Sequence, residues 1–125
     1  MMTRSFLVFV SVVFSGYGIA CIVDPALPAR LAGLEVLNGD AYAEMSAMYG
    51  GLQTGVGIFC LLAAFRSSFQ SSALLLLVLG IGLLAASRAL GALRSDELLT
   101  VYTWGALAFE TLLTATAAAL LLRKA

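Results

Sequence analysis

The chain has no histidine, only two prolines and one tryptophan, and just seven basic and seven acidic residues. Without histidine it lacks the usual general base, the commonest metal ligand and the proximal haem ligand. A formal net charge of zero leaves no basic field to attract nucleic acid. Charged residues make up 11% of the chain, against about 25% in an ordinary soluble domain. These shortages exclude a soluble enzyme, a nucleic-acid binder and most metalloproteins. No cofactor and no metal site is expected.

Apolar residues fill the space instead. They make up 62% of the 125 positions, and the mean hydropathy is +1.02. A bilayer core of about 30 Å needs about 20 mostly apolar helical residues to cross it. Four stretches meet that requirement, at about residues 5–23, 41–65, 72–93 and 98–122. The segments between them are residues 24–40, 66–71 and a turn at 94–97, too short for a soluble domain. The pattern predicts an all-α, integral membrane four-helix bundle with antiparallel neighbours, forming one transmembrane domain over 1–125.

The Lys/Arg bias predicts the orientation. Arg4, Arg66, Arg123 and Lys124 fall on one side without acidic neighbours. Arg30 and Arg94 lie on the other, among Asp24, Glu35, Asp40, Asp96 and Glu97. Both termini are therefore expected in the cytoplasm, and the acidic side in the periplasm of a bacterial inner membrane. Arg4 and the apolar run from Phe6 resemble a secretory signal, and Gly18–Cys21 loosely resembles a lipoprotein box lacking its leucine. The segment is read as a retained helix. Cys21 and Cys60 belong at opposite ends of their spans, on the order of 25 Å apart and beyond disulfide reach.

In the first connection, Pro25 and Pro28 end a span, and Asn38-Gly39-Asp40 reads as a turn into an N-cap. Leu27, Leu31 and Leu34 recur at i, i+4 and i+7, which predicts a short helix at the outer interface.

Three ionisable residues fall inside the spans: Glu44, Arg88 and Glu110. Such residues are costly in lipid and are ligand-binding or structural candidates by default. Helical rise places Glu44 about 5 Å and Arg88 about 7 Å below the outer boundary, with Glu110 about 18 Å in. Similar depth makes Glu44–Arg88 the natural ion pair. For Glu110, either Arg88 reaches down to it or the carboxyl holds its proton. Thr103, Ala106, Thr114 and Ala117 share its face, as close helix contact in a membrane requires. The structural reading makes these charges a cluster that fixes helix register; the functional one makes them a ligand, proton or ion site.

The second span has two distinctive faces. Glu44, Ala47, Gly51 and Gly55 form one with small residues four apart. At about 100° per residue, Gln53 lies opposite Glu44, and with it run Tyr42, Ser46, Tyr49, Gly57 and Cys60. Both faces cannot point at the axis of one bundle. Either this helix is wedged between neighbours on both sides or one face meets another chain, so Tyr49, Gly51, Gln53, Gly55 and Gly57 are candidates for a helix-packing or partner face. Tyr42, Tyr102 and Trp104 are read as interfacial anchors.

With those residues in place, the sequence resembles a family of small bacterial membrane proteins catalogued as domain of unknown function 4345. The resemblance rests on Glu44-Met-Ser-Ala-Met-Tyr-Gly-Gly51 and its continuation to Gly57, on Ser87-Arg88-Ala89-Leu90-Gly91, and on Glu110. It covers nearly the whole chain, with Ser87 departing from the family's usual glycine. It implies four helices and the same three charged positions, but no reaction. A looser likeness to DoxX-like four-helix membrane proteins is fold analogy only.

The expected role is a non-enzymatic accessory or structural subunit packing against a larger membrane complex or against itself. The competing role is a carrier or binding protein for a lipid, quinone, pigment or other apolar ligand, using Glu44, Arg88 and Glu110. Catalysis by Glu44 or Glu110 with Arg88 holding an anion lacks any nucleophile–base arrangement to support it. The expected partners are membrane lipids and other membrane subunits or further copies of the chain.

Overall fold

The computed structural model describes residues 1–123, and every regular element among them is helical. Lys124, used above for orientation, lies outside the described residues. The elements are α1 (Met2–Val23), α2 (Leu27–Ala32), α3 (Gly39–Phe65), α4 (Ser67–Arg94) and α5 (Val101–Leu122). Four of them, α1, α3, α4 and α5, are long and apolar enough to cross a membrane.

Several boundaries differ from expectation, and two of them have a local backbone cause. The connection expected at 66–71 shrinks to Arg66, whose extended backbone (φ −125°, ψ 106°) separates α3 from α4. The serines that read as a loop open a helix instead, directly after Arg66. At the other end, Thr100 is extended (φ −90°, ψ 171°), and the last span starts at Val101 rather than Leu98.

Contacts group the chain into two units, Met1–Gln70 and the residues from Ser71 onward. In the first unit α1 lies along α3, and glycine sets the distance. A Cβ on Gly18 would stand 2.6 Å from the Thr54 backbone nitrogen. One on Gly50 would meet Ile22, and one on Gly57 would come within 2.6 Å of the Ser15 backbone nitrogen. As the numbering falls along α1 it rises along α3. Ser11, Ser15, Gly18 and Ile22 thus face Gly50, Thr54 and Gly57, and close backbone approach is what small residues supply in a membrane. The Thr54 hydroxyl donates to the Gly50 carbonyl at 2.8 Å, so this polar group is satisfied inside its own helix.

The corner between α1 and α2 is fastened by Asp24. Its carboxylate accepts from the Ala26 amide at 3.2 Å and from Arg30, which sits six residues on. The hydrogen bond from Arg30 holds the Asp24 carboxyl below the ordinary carboxylate range, so this latch opens only as pH falls through that lowered value. Gly33 ends α2 at φ 71°, a left-handed conformation that favours glycine. The expected short helix is present, with Pro28 and Ala29 facing inward and Leu31 and Leu34 exposed. Asn38 then caps α3, accepting from the Ala41 amide at 2.9 Å. Cys21 and Cys60 are both buried and both free.

In the second unit, the buried residues of α4 include Ala73, Leu77, Ile81 and Ala85 at a uniform spacing of four. An α-helix at 3.6 residues per turn lets such a row drift. A π-helical segment at Leu77–Ile81 widens the turn and keeps the row together. On α5 the buried residues are Glu110, Leu113, Ala117 and Leu120, at ordinary helical spacing.

Candidate functional site

Arg88 and Glu110 come together in the second unit. Arg88 Nη2 donates to Glu110 Oε1 at 2.7 Å, and Nε donates to Oε2 at 2.9 Å. The side-on, two-point contact is the strong form of an arginine–carboxylate pair. The Glu110 side chain is only 8% exposed and that of Arg88 24%, so the pair is largely withdrawn from its surroundings. The Tyr102 ring centroid lies 5.9 Å from the Arg88 guanidinium carbon and adds an aromatic face to the cation.

Helix boundaries explain why this pairing forms. Counted from Arg94, Arg88 lies about 9 Å down α4; counted from Val101, Glu110 lies about 14 Å down α5. The later start of α5 brings Glu110 nearer to the connection than a start at Leu98 would. A difference of about 5 Å is within the span of an arginine side chain, and Arg88 takes the downward option. Equal depth predicts Glu44 as the partner, whereas Arg88 holds Glu110. Glu44 lies in the first unit, exposed on α3.

The faces of α3 sort differently from a uniform helical wheel. Ser46–Leu52 is π-helical, so each residue advances the chain by less than an α-helical step. Counting 100° per residue from Glu44 to Gln53 therefore overstates the rotation between them. Gly57 and Cys60, from the second face, are buried, and Gly57 abuts α1. Tyr49 and Gln53 are half-buried. Gly51 and Gly55 are exposed, and nothing lies within 4 Å of a Cβ built on Gly55. The glycine stripe recognised in the sequence is the open one, whereas Gly50, Thr54 and Gly57 make the internal contact.

Two features escaped the sequence reading. One is the contact of Tyr102 with Arg88, whose available signal is the place of Tyr102 about two turns before Glu110 on α5. The matching face of α1 carries Ser11, Ser15 and Gly18, small residues at helical spacing in an otherwise bulky helix.

A groove of about 380 Å³ also opens between α4 and α5. Gly82, Ala85, Ala86 and Ala89 line one side, with Thr111 and Ala115 on the other. Thr114 also lines it, and its hydroxyl oxygen is buried without a hydrogen-bond partner among the described residues. No group of three or more His, Cys, Asp or Glu residues gathers in a metal-binding arrangement among the described residues.

No curated protein and no solved structure matches the chain. A family does. The model of the family described as Domain of unknown function (DUF4345) matches residues 2–121, taking in α1 to α4 and nearly all of α5, so the chain belongs to that family.

Proposed function

We propose that the chain is a small, non-enzymatic membrane protein that packs as an accessory or structural subunit against other membrane helices or further copies of itself. The observation that carries this reading is the closed Arg88–Glu110 pair. The carboxylate is spent on the guanidinium inside the unit, which is how a register-fixing pair behaves. Further support comes from α3, where Gly51 and Gly55 are exposed four residues apart. Glycines there permit close approach by another helix. Of the five candidate packing residues, Gly51 and Gly55 suit an external partner best, and Gly57 is engaged by α1. Orientation follows the charge bias, with alternating spans, both termini cytoplasmic and a bacterial inner membrane as the setting.

A second reading draws on the groove between α4 and α5. An apolar ligand or lipid would occupy it without displacing the ion pair, since neither Arg88 nor Glu110 lines it. That differs from a carrier using Glu44, Arg88 and Glu110 together.

Native mass spectrometry of the protein extracted from its own membranes in mild detergent separates the readings. The subunit role predicts co-purified membrane proteins or a homo-oligomer, lost on Gly55→Leu while helicity is retained. A monomer that carries a defined small-molecule mass, unaffected by Gly55→Leu, would overturn it in favour of the carrier.

A further inference from the structure

One end of the first unit carries cationic groups with no acidic counterpart. Residues 1–23 and 45–70 contain no aspartate or glutamate. The Arg4 guanidinium carbon lies 4.5 Å from the centroid of the Phe65 ring, so the first turn of α1 and the last turn of α3 meet at this end. Arg66 follows at once, leaving α3 on extended backbone, and the exposed Ser67 and Ser68 come next. Arg4 and Arg66 are both exposed. The ion pairs among the described residues join Arg30 to Asp24 and Arg88 to Glu110 and involve neither of them.

This end belongs at a membrane boundary. The 22 residues of α1 span about 33 Å, close to the thickness of a hydrocarbon core of about 30 Å. Its first turn therefore lies in the headgroup layer of one leaflet. We propose that Arg4 and Arg66 form a docking surface for the phosphate of an anionic phospholipid. The planar guanidinium presents its donors in a fork that fits phosphate oxygens. Contact with Phe65 holds Arg4 in place before a ligand arrives, so less freedom is lost on binding. Phe65 and Phe69 are 63% and 39% exposed and offer apolar surface for the attached acyl chains. A free phosphate would leave that surface unused.

The test uses the purified full chain in detergent, titrated with palmitoyl-oleoyl phosphatidylglycerol or the matching phosphatidylcholine and followed by native mass spectrometry. It needs no partner protein, so its result is independent of the subunit reading. Phosphatidylglycerol is expected to bind more tightly, and Arg4→Gln or Arg66→Gln should each weaken it by about fivefold. The double variant should bind both lipids equally while its circular dichroism stays helical. Arg94→Gln should leave the preference in place. Equal binding by the unmodified chain, or a preference that survives the double variant, would overturn the proposal. So would an equal loss in Arg94→Gln, which would reduce the effect to net charge. Displacement of the lipid by millimolar inorganic phosphate would overturn it in favour of a free-anion site.

Discussion

Arg88 and Glu110 illustrate how little freedom a charged side chain has among apolar helices. Each is tolerable only because the other is present, and removing one partner of a buried pair leaves an uncompensated charge. Arg88→Gln or Glu110→Gln alone should therefore destabilise the fold by about 3 kcal/mol, the lower end for buried pairs, because Arg88 is a quarter exposed. The double variant should cost clearly less than the two singles summed. Reversible unfolding in bicelles gives the three values, and additivity would mean the contact contributes nothing. The three charged positions were legible in the sequence as anomalies of depth. The partner was not, because depth compares positions along helices and ignores the reach of a long side chain.

At the level of helices, the decisive feature is which small residues touch. Gly57→Ala places a carbon 2.6 Å from the Ser15 backbone nitrogen, which no side-chain rotation relieves. It should force α1 and α3 apart at a cost of about 1–3 kcal/mol, as overpacking does. Gly55→Ala, with open space around the new methyl, should leave the stability of the isolated chain unchanged. Thermal unfolding of the two variants in the same detergent checks the contrast, and equal effects would contradict the contact. Both glycines were visible in the sequence, and both stood on candidate packing faces. Their separation into one glycine against α1 and one in open space depends on the phase of α3. The π-helical segment at Ser46–Leu52 alters that phase, and a wheel drawn at constant pitch contains no such segment.

For the whole molecule, the charge distribution carries the remaining expectation. Arg4, Arg66 and Arg123 sit at the ends of spans without acidic neighbours, and the Asp24 and Glu97 ends are mixed. Single cysteines introduced at Arg66 and at Glu97, in a chain cleared of Cys21 and Cys60, should report opposite sides. A membrane-impermeant maleimide applied to intact cells should label the Glu97 position and spare the Arg66 position. The reverse pattern would invert the topology.

The sequence by itself determined the helical class, the four apolar spans, the short helix between the first two and the family. The first three rest on composition or on periodicity along one segment, which local backbone geometry converts directly into structure, and the family rests on particular residues such as Glu44–Gly51 and Arg88. Tertiary structure alone decided that Arg88 holds Glu110, that Tyr102 covers the guanidinium, and that Gly50 and Gly57 face α1 while Gly51 and Gly55 are left open. Those outcomes depend on the rotation and relative height of neighbouring helices. Rotation and height are set by side-chain reach and by single widened turns, and neither is written in the spacing of apolar residues.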